Sequence, residues 1–313
     1  MPRSIAIVGA GMAGLACATQ LARDGRRVTL FDKGRGPGGR MATRRAEIGG
    51  ETVRFDHGAQ YFTARDTGFQ EQVALWERES VVARWPAAGE DAWVGTPAMN
   101  APIKALAEPL EVQWAARVTD IVKSEQGWRL NVDDEIHEFE SVVFGIPAEQ
   151  AAELLADIHA EFADRARRTQ SRPCWALMAQ FPERLECGDV LRGGEGDTVS
   201  WAARNGAKPG HDGSESWVVH GSPDWSLAHL EEEAENVAGQ LLDAFLHQAE
   251  VMPQAPLHMA AHRWRFAMAE PIDGPDALWD AEARIGVAGD WLIAPRVEAA
   301  WLSGTRLARA ILR

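Results

Sequence analysis

The segment Ser4-Ile-Ala-Ile-Val-Gly9-Ala-Gly11-Met12-Ala13-Gly14 decides the fold. A β-branched run, Ile5 to Val8, predicts a strand, and the alanine-rich stretch Leu15 to Arg23 predicts a helix. Between them the glycines fall in the spacing Gly-x-Gly-x-x-Gly. Gly9 permits the tight strand-to-helix turn, Gly11 lets the backbone approach a diphosphate, and Gly14 lets helix and strand pack closely. The diphosphate is expected on free N–H groups at the helix N-terminus. A second strand, Arg27 to Phe31, ends at Asp32, about twenty residues on, where a carboxylate accepts hydrogen bonds from a ribose diol. The fingerprint predicts a dinucleotide and leaves NAD and FAD both open.

A chain of 313 residues exceeds one ordinary domain and is short for three, so two packed domains are expected. Its 46 % hydrophobic and 25 % charged residues are those of a soluble globular protein. A formal charge of −14 argues against a nucleic-acid or anionic-membrane partner. Against that background Lys33, Arg35, Arg40, Arg44 and Arg45 form a basic stretch with no acid between them. Beside the glycine loop it reads as facing phosphates; the alternative is a solvated basic loop. Cys17, Cys174 and Cys187 make no CxxC and no disulfide framework, and no metal-ligating cluster is evident. The chain begins Met-Pro-Arg-Ser and enters a strand at once, so no signal peptide is expected. No run of eighteen apolar residues predicts a membrane span, and a reducing cytoplasm is the expected home. Thirteen tryptophans stand against one tyrosine. Most are expected in the core or between domains, with some walling a pocket for a flat aromatic ligand.

Further along, residues 34–41 are too glycine-rich for helix or strand. A strand from Thr52 to His57 leads into Gly58-Ala59-Gln60-Tyr61-Phe62. Helices are expected over 66–80 and from Met99 to Leu106. Val112–Trp114 with Arg117–Lys123, Gly127–Asp133 and Ile136–Phe139 read as an antiparallel meander. Ser141 to Ile146 is a continuous apolar run typical of a buried parallel strand. Strand candidates Trp175–Phe181, Thr198–Arg204 and Ser216–Gly221 suggest a second sheet. The acidic run Leu230 to Glu235 reads as the solvated first turn of a helix ending near Gln248. Ala283 to Ala288 returns to the first style, and a last amphipathic helix starts near Arg296. The architecture expected is α/β: a Rossmann-like dinucleotide domain (residues 1–62, 97–147 and 284–313) with an inserted mixed α+β substrate domain (63–96 and 148–283).

Gly9-x-Gly11-x-x-Gly14, Asp32 and Gly38-Gly39-Arg40-Met-Ala-Thr43 resemble the FAD cradle of the amine-oxidase superfamily, of glutathione-reductase/amine-oxidase type. So do Gly289-Asp290 and Arg296-Val297-Glu298-Ala-Ala300 near the other end of the chain. Within that superfamily, the stretches 56–62 and 217–226 and His262-Arg-Trp264-Arg265 resemble bacterial renalase-like proteins. The resemblance implies non-covalent FAD. Gly9, Gly11, Met12, Ala13 and Gly14 would line the diphosphate, and Asp32 would hold the adenosine ribose. Lys33, Gly39 and Arg40 would flank the phosphates, and Val118 would support the adenine. Gly289 and Asp290 would reach the ribityl chain or diphosphate. Val297, Glu298 and Ala300 would face the flavin, and Asp56 and His57 would belong to the same cradle. A helix N-terminus there would stabilise negative charge developing around flavin N1 and the C2 carbonyl.

The resemblance further implies an oxidase of isomeric 2- or 6-dihydro-NAD(P), with dioxygen reoxidising the flavin to give hydrogen peroxide. The substrate walls would be His57, Gly58, Ala59, Gln60, Tyr61, Phe62, Trp201, Trp264 and Arg296. Each has a plainer reading as a loop or core residue. The two-tyrosine cage of classical amine oxidases cannot be built from Tyr61 alone. A flavin amine oxidase or desaturase, a non-enzymatic flavin-binding protein and an NAD-dependent dehydrogenase remain the alternatives.

Overall fold

In the computed structural model, which describes residues 4–313, the apolar strands Ser4–Val8 and Ser141–Phe144 lie side by side at the centre of a six-stranded sheet. The spatial order is Leu278–Asp280, Ile285–Val287, Ser141–Phe144, Ser4–Val8, Arg27–Asp32 and Glu111–Trp114. All neighbours are parallel except Leu278–Asp280, which runs antiparallel to Ile285–Val287. Both sheet faces are covered, so strand residues alternate between two cores. Ile5 and Ile7 join Leu15, Phe69, Trp76 and Trp301 on one side. Ala6 and Val8 join Phe144, Trp128, Leu155 and Phe162 on the other.

The first helix, Met12–Arg23, packs against the last, Val297–Leu312. Their approach is close because Gly304 has no side chain. A Cβ there would stand 2.1 Å from the Ala13 carbonyl oxygen.

A second, antiparallel sheet orders Val190–Arg192, Val199–Arg204, Ser216–Gly221, Gln170–Gln180 and His258–Glu270. One of its faces packs on the helix Ala234–Gln248 through Leu177, Trp217, Val237, Leu241 and Phe245. The other packs Met178 and Val218 on Val53 and Phe55 of a hairpin formed by Thr43–Ile48 and Glu51–Asp56. That hairpin joins the two parts of the molecule. Among the described residues no helix is long and apolar enough to cross a membrane.

Two sequence expectations are corrected, and one strand was missed. Glu111–Trp114 does not belong to the meander; it is the parallel edge strand beside Arg27–Asp32, and the meander is Val118–Ser124, Gly127–Val132 and Glu135–Phe139. The strand His258–Glu270 was not expected, because an edge strand rich in His, Arg and Met lacks the apolar alternation that marks one. The run Leu230–Glu235 is not one solvated turn: the helix begins at Ala234, and Glu231 instead pairs with Arg265 at 2.6 Å and Arg263 at 3.2 Å.

Candidate functional site

Between the parallel sheet and the antiparallel one runs a continuous cleft of about 1980 Å³. At one end stands the glycine loop. Gly9 has φ +99°, and a Cβ there would meet Ile146 and the Gly145 carbonyl. A Cβ on Gly14 would lie 2.0 Å from the Gly9 carbonyl oxygen, so that glycine closes the helix onto the turn. Gly11 differs: a Cβ there meets nothing within 4 Å, and Gly11 lines the cleft. The space it leaves is open for a ligand. Gly11 caps the first helix without a side-chain hydrogen bond, and the first turn carries no acid. Its N–H groups are therefore free to meet an anion.

Asp32 anchors this end. Its Oδ2 accepts from Ala10 N and its Oδ1 from Gly34 N, each at 2.7 Å. A carboxylate has about four lone-pair sites, so two remain for a ribose. The whole basic stretch, Lys33, Arg35, Arg40, Arg44 and Arg45, lines the cleft. Arg40 reaches the far segment, where Nη2 donates to Asp290 Oδ1 at 2.5 Å. Beyond it the last helix begins at Val297 with Arg296 as N-cap and no side-chain cap bond, and Arg296, Val297 and Ala300 line the cleft. Two helix N-termini without side-chain caps thus face one cavity, the second with Glu298 in its first turn.

The opposite wall is the loop His57–Phe62 set against the antiparallel sheet. Period-two geometry places His262 and Trp264 on the same face of their strand. Trp264 Nε1 donates to the His57 carbonyl at 2.8 Å. The His57 ring stacks on Trp264, centroids 5.1 Å apart, and meets His262 edge-on at 4.8 Å. Burial, then the charges of His262 and Arg44, hold the His57 imidazole down to about 3. Burial pushes His220 down to about 4 and lowers His262 as well. These three imidazoles are therefore neutral at pH 7. Tyr61 and Trp201 lie with ring centroids 5.3 Å apart, and the Arg192 guanidinium covers Trp201 at 4.4 Å. His57 Nδ1 and Trp201 Nε1 are buried with no hydrogen-bond partner among the described residues.

The cleft also gathers Met12, Ala13, Gly39, Val118, Gly289, Gly58, Ala59, Gln60 and Phe62. Gly14, Asp56 and Glu298 do not line it. Glu298 is 4 % exposed and accepts from the amides of Arg65 and Asp66 at 2.6 and 2.7 Å. Asp56 is fully buried beneath the His57–Phe62 loop. It accepts from Thr43 Oγ1 at 2.6 Å, Met99 N at 2.9 Å and Lys208 Nζ at 3.2 Å, with His211 Nε2 at 2.7 Å. Burial alone would raise this carboxyl; the Lys208 ammonium and the His211 and Thr43 hydrogen bonds outweigh it and hold the carboxyl well below the usual range.

Lys208 also donates to Gln60 Oε1 at 3.2 Å, while Gln60 Nε2 donates to the Asp56 carbonyl and to that of Gly58. Sequence reasoning missed Lys208 and His211. Both sit in the glycine-rich loop 205–214, where no periodicity marks a buried side chain.

Residues 7–78 match the NAD(P)-binding Rossmann-like domain, and residues 84–312 match the flavin-containing amine oxidoreductases. The second match spans most of the chain. The chain belongs to the flavin-containing amine oxidoreductases. A putative protoporphyrinogen oxidase from Exiguobacterium sp. 255-15 has TM-score 0.78 at 13 % identity, with 99 % of each chain covered. Putrescine oxidase bound to putrescine has TM-score 0.62 at 15 % identity, covering 100 % of this chain and 99 % of that one. Those likenesses are of fold. As a member of the flavin-containing amine oxidoreductases the protein is a flavin-dependent oxidoreductase with non-covalent FAD as cofactor. The open space over Gly11, the spare acceptor sites of Asp32 and the two uncapped helix ends fit that group.

Proposed function

We propose that this is a renalase-like oxidase of 2- or 6-dihydronicotinamide dinucleotides. One observation carries the reading: beyond Lys33 and Arg40, which FAD phosphates would occupy, the cleft of this acidic protein is still lined by Arg44, Arg45, Arg54, Arg65, Lys104 and Arg296 against three acids, Asp32, Glu153 and Asp290. Asp290 is already tied to Arg40. A positive cleft attracts a phosphate-bearing substrate and repels the ammonium form of an amine. The neutral imidazoles suit the same chemistry. Loss of hydride from a dihydropyridine yields an aromatic cation directly, so no proton is abstracted and no general base is needed. His57, held down to about 3, is a weak base.

The chain's own task is orientation. The His57, His262 and Trp264 rings pack on one another and would offer one aromatic face to a flat ring. Arg296, without an ion-pair partner among the described residues, flanks the last helix and is available to a carboxamide or phosphate. FAD, when bound, accepts the hydride and passes the electrons to dioxygen, giving hydrogen peroxide.

Purified protein is expected to be yellow, to bleach anaerobically with 2- or 6-dihydro-NAD(P), and to release NAD(P)⁺ and peroxide in air. Failure of every isomer to bleach fully FAD-loaded protein sinks the reading. A second reading, amine oxidation, draws on the family match and on the Tyr61–Trp201 pair, which offers an aromatic flank for a neutral amine. Bleaching by a member of an amine panel, with the dinucleotides inert, would select it.

A further inference from the structure

The hairpin Thr43–Ile48 and Glu51–Asp56 carries a second cationic feature, distinct from the glycine loop. Arg45 and Arg54 are cross-strand partners, so their side chains leave the same face, about 5 Å apart at Cβ. Lys104, from the helix Ala101–Ala107, lines the same cleft. Partial burial lowers its ammonium pKa first, and the charges of Arg45 and Arg54 lower it further. All three side chains line the cleft. The backbone under them is fixed. Asn100 Nδ2 donates to the Pro37 carbonyl at 3.0 Å, tying the Lys104 helix to the loop after Asp32. Asn205 Nδ2 donates to the Arg54 carbonyl at 2.8 Å.

Among the described residues none of these three cations has an ion-pair partner. Two nearby acids are engaged elsewhere, Glu47 accepting from Thr52 Oγ1 at 2.6 Å and Asp212 from Ser214 and the Arg54 amide, while Glu108, one turn along from Lys104, forms no ion pair with it. Carboxylates are plentiful in this chain, yet none neutralises the group. Three like charges held together repel one another, and a bound dianion relieves that repulsion. A phosphate monoester carries nearly two charges and three free oxygens at neutral pH. Two guanidinium forks and one ammonium match it.

We propose that Arg45, Arg54 and Lys104 bind the phosphate monoester of the dinucleotide substrate, so that the enzyme prefers the phosphorylated dinucleotide. This rests on the dihydronicotinamide reading of the cleft. The test is steady-state oxidation of dihydro-NADP and dihydro-NAD by the FAD-loaded protein, with inorganic phosphate titrated separately. The wild type is expected to favour dihydro-NADP by about tenfold or more in KM, with similar kcat. Arg54→Gln and Lys104→Gln should erase that preference, raising the KM for dihydro-NADP far more than the KM for dihydro-NAD. Arg54→Lys should retain part of it. Inorganic phosphate should bind the wild type and not Lys104→Gln, while Lys123→Gln, an exposed lysine on the meander, changes nothing. Equal KM values in the wild type, or a preference that survives both glutamine variants, overturns the site. If neither dinucleotide bleaches the flavin, the substrate reading fails by itself. The phosphate titration then decides the site: binding lost in Lys104→Gln sustains it, and no binding to the wild type overturns it.

Discussion

Trp264 and His57, 207 positions apart in sequence, are joined twice: the indole Nε1–H donates to the His57 carbonyl at 2.8 Å, and the two rings stack at 29°. The pair fixes the loop His57–Phe62 against the antiparallel sheet and forms one side of the cleft. Trp264→Phe keeps a ring and loses the donor. It is expected to cost about 1 kcal/mol of stability and to raise KM for a ring substrate. Trp264→Ala removes the ring as well and, because the ring is only partly buried, should cost about 2 kcal/mol, less than truncation of a core tryptophan. Denaturant melts give the stability, and flavin bleaching as a function of substrate concentration gives the KM; equal behaviour of the two variants would deny the stack a role.

The histidines predict a pH dependence. His57 and His220, folded, titrate near 3 and 4, against about 6.5 in the unfolded chain. Between those values the unfolded state binds more protons, so stability rises with pH across that window. Acidification from pH 6.5 towards 4 is expected to lower Tm, with a plateau above pH 7. His57→Phe should flatten the slope in that window. Asp56, held low, contributes stability that is lost only as pH falls below its unfolded value near 3.8, so its loss appears at lower pH. Melts from pH 3.5 to 8 on both proteins test the assignment; an unchanged slope in His57→Phe would refute it.

The buried Lys208 and Asp56 predict a strong asymmetry. Both side chains are fully buried, 3.2 Å apart. Lys208→Met removes the ammonium but leaves Asp56 its bonds from Thr43, Met99 N and His211, so the cost expected is about 2–3 kcal/mol, short of that for a wholly unpaired buried charge. The double variant Lys208→Met with Asp56→Asn should recover part of that loss. A double-mutant cycle by urea denaturation measures the coupling. Since Lys208 also holds Gln60 Oε1, Lys208→Met should disturb the cleft wall even where it folds, seen as a changed flavin absorption band.

The cofactor half was legible in the sequence, and the reason is geometric. Gly9, Gly14 and Asp32 are demanded by backbone turns and close approaches, which leave residue-type signatures at fixed spacing. The basic stretch from Lys33 to Arg45 was legible for a different reason: without intervening acids, its only competing reading was a solvated loop. Asp56 shows the limit. An acid that touches a ligand and an acid that supports the loop below look the same in one dimension. Lys208 and the strand His258–Glu270 were invisible because their burial and pairing come wholly from distant segments.

Gly11 and Gly14 make opposite predictions, although they belong to one fingerprint. Gly14→Ala places a Cβ against the Gly9 carbonyl, 2.0 Å away, so helix and strand must separate; loss of stability and of cofactor together is expected. Gly11 has φ −80° and ψ −175°, a conformation open to any residue, and its Cβ would project into open cleft. Gly11→Val should therefore fold with near-wild-type stability in the absence of cofactor and yet emerge colourless. The comparison needs apoprotein Tm, from which the stabilisation by bound ligand is absent, and the flavin-to-protein absorbance ratio after purification. A yellow Gly11→Val protein with full FAD content would move the diphosphate away from the first helix, because a branched side chain and a diphosphate cannot share the space that Gly11 leaves.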